Sequence, residues 1–110
     1  MWSPDPETII TAEQKAAEAQ ARLIEQFRVA IQTHVDETAK ARNYDSGVSL
    51  ASYTSSTNPV WASEAAAFVA WRDAVWAYAY AELDKVIAGE REAPTISDFI
   101  AELTPVSWPE

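Results

Sequence analysis

A long run without helix-breaking residues, bracketed by Pro59 and Gly89, constrains the fold of this chain more than any other feature. Asn58 belongs to the residue types that cap helix N-termini, and proline is favoured at the first position of a helix. Gly89 can adopt the left-handed backbone conformation that commonly ends a helix. These signals predict a long helix over about residues 59–88.

A second long helix is predicted nearer the N-terminus, over about residues 11–41. Thr11 and Gln14 have the spacing of a capping box, in which side chain and backbone satisfy each other at a helix start. Apolar residues then recur at helical spacing, at Ala16, Leu23, Ile24, Phe27, Ile31, Val35 and Ala39. This pattern indicates an amphipathic helix with one buried stripe. Its Ala-rich first turns either project beyond the core or join a narrow coiled coil.

The segment over residues 43–58 is rich in Ser and Thr and has no sustained period, so we predict a connecting loop with at most a short helical turn. It is long for a connection in a compact domain, and such loops are often packed by their own side chains. The candidates for that packing are Tyr44, Val48, Leu50 and Tyr53.

A short third helix is predicted over about residues 96–103, because Thr95 and Asp98 repeat the helix-start spacing and Pro105 follows. The Pro-containing ends, 1–10 and 105–110, are expected to form an extended arm and a tail. No strand-like alternation persists along the chain. We therefore predict an all-α fold: a small bundle of two long helices and a short C-terminal helix, with residues 11–104 as one domain.

Composition restricts the partners of the chain. Its 110 residues fit a single small domain, and 17 acidic against 8 basic residues give a formal net charge of -9. Such a charge repels phosphate backbones and anionic lipid, so neither nucleic acid nor a membrane surface is expected as a partner. There is no Cys for a disulfide or thiolate site. The N-terminus shows no signal-peptide pattern, and no apolar run is long enough to span a bilayer.

Residues that could support catalysis are few. The single histidine, His34, falls near the edge of the first apolar stripe, where a hydrogen-bonded or hydrated side chain is the ordinary interpretation. Asp36, Glu37 and Asp45 do not have calcium-binding spacing, and no Gly-rich phosphate loop or serine-nucleophile motif is present. We predict a protein that is not an enzyme and has no metal site and no cofactor.

The helix over residues 59–88 carries more apolar surface than one neighbour needs. At about 100° per residue its apolar side chains cover a sector of about 200°, whereas an amphipathic helix packed on one partner needs little more than about 100°. The loop aromatics and the third helix can cover part of the excess, and a second protein chain is the other candidate. The sector contains Trp61, Ala65, Phe68, Val69, Trp71, Val75, Trp76, Tyr78, Ala79, Tyr80, Leu83, Val86 and Ile87.

Arg72 falls at the middle of this sector, where a buried cation needs a partner. One prediction is an ion pair to a carboxylate such as Asp45 or Asp36, or stacking on Trp76 or Tyr44. The alternative is an exposed binding hot spot, because Trp, Tyr and Arg dominate interface energetics.

Four aromatic residues are predicted to bind a partner. Trp71 and Tyr78 lie at one flank of the sector and are expected to face another protein. Trp2 and Trp108 lie in the Pro-containing ends, and at least one should dock onto a surface of this chain or of a partner. The amphipathic first helix and the wide second one are also compatible with a homo-oligomer.

Three stretches carry a resemblance to a known family: "HVDETAKARNYDS", "SYTSSTNPVWASEAAAFVAWRDAVWAY" and "PTISDFIAELTP". Across about residues 30–105 the chain resembles a poorly characterised family of short tailed-phage and prophage proteins encoded near tail-fibre genes. The overall arrangement is similar to tail-fibre assembly chaperones. The resemblance supplies no catalytic or ligand residues, and this chain has Ala79 where relatives often have Cys after the "WAY" segment.

The resemblance implies a viral tail context. The expected function is a phage tail-fibre assembly factor that binds a tail or fibre protein through aromatic and apolar surface. The expected location is the host cell cytoplasm during assembly. The alternative is a structural virion component, a tail or decoration subunit retained in the particle.

Overall fold

A computed structural model describes residues 11–110, and these residues form an all-α fold without a β-strand. Two long helices dominate it, and a short C-terminal helix and a short connecting helix complete it. In chain order the helices are α1 (Ala12–Ala41), α2 (Gly47–Ala51), α3 (Pro59–Ile87) and α4 (Ile96–Glu102). The predicted all-α class, two long helices and short C-terminal helix are therefore confirmed. The predicted arm over residues 1–10 lies outside the described residues.

Local signals fix the ends of the long helices. The Thr11 side chain accepts a hydrogen bond from the Gln14 backbone N–H at 3.1 Å, and the Gln14 side chain accepts one from the Thr11 N–H at 3.0 Å. This reciprocal pair is the predicted capping box. The Asn58 side chain accepts from the first backbone N–H groups of α3, and Gly89 follows the helix with φ of 75°. The two helix starts and the left-handed end thus agree with the sequence.

The core forms where the apolar stripes of α1 and α3 meet. The ring of Phe99 on α4 packs edge-on against Phe27 of α1, with ring centroids 5.3 Å apart, so the short helix closes one side of the helix pair. The buried apolar residues are Phe27, Ile31, Val35, Ala39, Leu50, Ala65, Phe68, Trp71, Val75, Ala79, Leu83, Phe99 and Leu103.

The connection between the long helices contains more helical structure than the predicted loop. It contains α2 and a 3-10 turn, Ser52–Ser55, and Leu50 is completely buried. The Gly47 N–H donates to the Asp36 carboxylate at 2.9 Å and so fixes α2 against α1. The expected packing by Tyr44 and Tyr53 is also present. The expectation for Val48 is wrong, because α2 turns that side chain into solvent.

The first turns of α1 project beyond the core. Residues 12–19 are all exposed, and burial begins in the following turn. The sequence left open projection or a coiled coil, and within this chain the segment projects. Across residues 11–110, every helix is too short or too polar to cross a lipid bilayer.

Candidate protein-binding surface

The C-terminal residues 104–110, which we call the C-terminal strap, run back over the core without helical structure. The indole N–H of Trp71 donates to the Thr104 carbonyl at 2.6 Å. Val106 and Trp108 pack against the core as partly buried side chains. The strap and α4 therefore cover the flank of α3 that the sequence assigned to a partner protein.

Trp71 is buried within the chain, and the prediction that it faces a partner is wrong. Only 8% of the residue is exposed, and its ring lies 5.8 Å from that of Phe68 and 5.7 Å from that of His34. The physical reason is the strap: it satisfies the indole N–H and covers the ring, which is what a partner was expected to do.

Tyr78 lies on the same flank about two helical turns further along, and it is 37% exposed. Its hydroxyl donates to the Glu102 carboxylate at 2.5 Å, and its ring lies 6.0 Å from that of Phe99. Arg91 also pairs with Glu102. Hydrogen bonds from Arg91 and then from Tyr78 hold the pKa of Glu102 below its usual value, while the bond to Glu102 raises the pKa of Tyr78. Tyr78 thus ties α3 to α4, and its role towards a partner stays a prediction.

Trp108 docks onto its own chain, one of the two alternatives that the sequence left open. Its indole stacks with Phe68 at a ring distance of 6.5 Å and an interplanar angle of 7°. The Arg42 guanidinium also lies over the indole, 5.0 Å from the ring centroid. Trp2, the matching residue of the N-terminal end, lies outside the described residues.

Arg72 does not lie at the centre of the buried face; it forms an ion pair with a carboxylate, as one prediction expected, but the predicted stacking is not present. Its guanidinium pairs with the adjacent Asp73 at 3.0 Å, not with Asp36 or Asp45, and it stacks on no aromatic ring of the described residues. The buried line of α3 passes through Phe68, Trp71 and Val75, so Arg72 lies to one side and reaches solvent. Asp36 is occupied by the Gly47 N–H.

Within residues 11–110, no element covers the opposite flank of α3. Trp76 follows Trp71 by five residues, about 140° around the helix, and its ring lies 5.6 Å from that of Tyr80. Tyr80 is 54% exposed and Ile87 is 51% exposed, whereas Trp76 is partly buried against the core. We call Trp76, Tyr80 and Ile87 the open flank.

The open flank borders α1 at Arg28. The pKa of the Arg28 guanidinium is raised chiefly by its hydrogen bond to Glu25 at 2.9 Å, with a smaller electrostatic contribution from Tyr80. The Arg28–Glu25 pair is itself exposed on α1. An apolar centre with a charged rim is the usual composition of a protein-binding surface.

A second exposed aromatic surface surrounds a cavity of about 540 Å³ where α1 ends and α3 begins. Beneath it the buried carboxylate of Glu64 pairs with the Arg42 guanidinium and accepts a hydrogen bond from the Tyr44 hydroxyl at 3.3 Å. Desolvation, followed by the nearby Glu64 charge, raises the pKa of Tyr44. We call this hollow the aromatic cup; its rim consists of Tyr44, Tyr53, Val60 and Trp61.

The rings of the cup form a continuous row. Tyr53 lies 5.5 Å from Tyr44 on one side and 5.7 Å from Trp61 on the other. The sequence did not identify this site, although Trp61 belonged to the wide sector and the two tyrosines to the loop. Only the fold of the connection brings these segments together.

Groups for catalysis were expected to be few. Over residues 11–110, no three or more of His, Cys, Asp and Glu are arranged to hold a metal ion. His34 lies against the Trp71 ring and is partly buried, as expected for a residue at the edge of the stripe.

Comparison of the chain with protein-family models, with curated proteins and with solved structures finds no match. The location of a binding surface is therefore inferred from the structure of the chain itself.

Proposed function

We propose that this protein is a small helical phage tail-fibre assembly factor that binds a tail or fibre protein through its open flank. The observation that supports this proposal most is the exposure of Tyr80 and Ile87 on α3, beside the ring of Trp76. Burying these side chains against a partner removes apolar surface from water, which drives most protein association.

The shape of the open flank favours a protein over a small molecule. Small ligands usually bind in concave pockets, whereas the open flank is the side of a helix. Aromatic residues next to charged ones are the common composition of protein interface centres and rims. The net charge of -9 disfavours nucleic acid as the partner.

The identity of the partner rests on the resemblance carried by the three stretches quoted above. In this proposal the protein acts in the host cytoplasm by stoichiometric binding. It covers apolar surface of an unassembled fibre subunit until that surface is buried in the tail. No step requires bond making or breaking.

A structural virion component is the second candidate. It is favoured by the exposed first turns of α1, residues 12–19, which extend beyond the core and offer a helix to neighbouring subunits. Mass spectrometry of purified particles separates the two functions: an assembly factor is absent from mature particles, whereas a tail or decoration subunit is present in fixed copy number.

Co-expression with the tail-fibre protein encoded beside this chain tests the first proposal. We expect a higher yield of soluble fibre and co-purification of the two proteins. An unchanged soluble yield together with no co-purification would reject the assembly-factor proposal. Co-purification together with presence in the mature particle would support the structural alternative.

A further inference from the structure

The aromatic cup is separate from the open flank and has the features of a second binding site. Trp61 is 47% exposed and Val60 is also exposed, although both border a cavity of about 540 Å³. An adjoining cavity of about 380 Å³ shares Val60 and continues past Pro59 to Pro109. Together the two cavities form a groove with three aromatic rings at one end.

Arg42 supplies the cationic group of this groove. It lines both cavities, and within residues 11–110 it donates hydrogen bonds only through Nε, to Glu64. A guanidinium has five N–H donors, so the two terminal nitrogens remain available for an incoming carboxylate. The side chain is 41% exposed, so an incoming group can reach it.

The N-terminal sequence "MWSPDPETII" matches the chemistry of the groove. Trp2 suits a cavity edged by aromatic rings, and Pro4 and Pro6 favour the extended backbone that aromatic-lined grooves commonly bind. Asp5 and Glu7 supply carboxylates for Arg42. The occupant that best fits the groove is therefore a segment of this protein itself.

Distance determines which copy supplies that segment. The cup lies at the C-terminal end of α1, whose 30 residues extend over about 44 Å from the end that carries residues 1–10. Ten fully extended residues reach at most about 33–36 Å. Residues 1–10 are therefore too short to reach the cup of their own chain along the continuous helix α1, but they can reach that of a second copy.

We propose that residues 1–10 of one copy bind the aromatic cup of a second copy, with Trp2 against Trp61 and an arm carboxylate on Arg42. The contact is head-to-tail, because the arm and the cup are different surfaces. Each copy then retains one unused arm or cup, so association continues into a ring or a chain of copies.

Two variants of the full chain, Trp2→Ser and Trp61→Ser, test this proposal by light scattering over a range of concentrations. The wild type is expected to associate, and each variant alone should weaken association at least about tenfold. An equimolar mixture should form 1:1 dimers that grow no further, because one variant keeps an intact cup and the other an intact arm.

Val48→Ser, on the exposed side of α2, is the matched control and should associate like the wild type. Val60→Asp is a second cup variant, and circular dichroism establishes that each variant keeps its helical content. A wild type that stays monomeric at every concentration overturns the proposal. Undiminished association of Trp2→Ser, or a mixture that stays monomeric, also overturns it. None of these measurements involves the fibre protein, so their failure is distinct from failure of the proposed function.

Discussion

The indole N–H of Trp71 on α3 donates a hydrogen bond to the backbone carbonyl of Thr104 at 2.6 Å. This bond joins residues 33 positions apart and fixes the start of the C-terminal strap over the core. The strap contributes no helix of its own, so its attachment depends on this bond and on the packing of Val106 and Trp108. The chain itself thereby covers an aromatic flank that would otherwise need a partner.

Trp71→Phe tests the hydrogen bond to the strap. Phenylalanine keeps much of the ring packing but has no N–H, so the Thr104 carbonyl loses its donor. We expect the free energy of unfolding to fall by about 1–3 kcal/mol, measured by urea denaturation. Trp76→Phe, on the other flank, is the control and should change it less. Equal stability of the wild type and Trp71→Phe would contradict the role given to this bond.

Trp108→Ala tests the docking of the strap end. The substitution removes the stack on Phe68 and the cation–π contact with Arg42, and we expect a loss of about 1–2 kcal/mol in unfolding free energy. Phe68 should also become more accessible, which increases the binding of a dye specific for apolar surface. An unchanged unfolding midpoint and unchanged dye binding would mean that the strap end does not stay docked in solution.

Gly47→Ala tests the close approach of α2 to α1. An added Cβ would lie 3.0 Å from the Asp36 carboxylate, 3.2 Å from the Phe68 ring and 3.3 Å from Val35. Because the Asp36, Phe68 and Val35 side chains must all move to make room, we expect the free energy of unfolding, measured by thermal or urea denaturation, to fall by about 1–3 kcal/mol. Val48→Ala, on the solvent side of the same helix, should lower the free energy of unfolding much less. Similar losses from the two substitutions would indicate that α2 is not closely packed.

Lowering the pH should weaken the attachment of α4 to α3, because this attachment depends on the Glu102 carboxylate. Its pKa is lowered in the folded state by Arg91 and then by Tyr78, so the folded state favours the ionised carboxylate. That stabilisation is complete above the usual carboxyl pKa and is lost as pH falls through the lowered one. Glu102→Gln removes this stabilisation. The difference in unfolding free energy between the wild type and the variant, measured by urea denaturation at several pH values, should therefore become smaller as the pH falls. A gap that is constant from neutral pH to below the carboxyl range would contradict this assignment.

The helix boundaries were predictable because their signals are local. Thr11 with Gln14, Asn58 with Pro59, and Gly89 each act within a few residues, and the structure uses each of them. The burial of Trp71 was not predictable in this way, because it depends on a strap more than thirty residues away. Helical periodicity gives the width of an apolar sector but not the elements that cover it.

The centre of the buried face was misplaced for a related reason. Trp71 and Arg72 are about 100° apart on the helix, and a sector of about 200° accommodates either as its middle. The contacts of Trp71 with the strap and of Phe68 with Trp108 show which face of α3 is turned towards the core. Arg72 lies beside that face and pairs with Asp73. The aromatic cup was not predicted because three separate segments form it: the end of α1, the connection and the start of α3.

The central claim is that the open flank binds the fibre protein, and the affinity of Tyr80→Ser/Ile87→Ser for that protein tests it most directly. Val29→Ser is the matched control, because Val29 on α1 is 55% exposed, similar to Tyr80 and Ile87, and lies outside the open flank. With purified proteins and calorimetry, we expect the double variant to bind at least about tenfold more weakly than the wild type and the control to bind equally well. Wild-type affinity in the double variant would contradict the account.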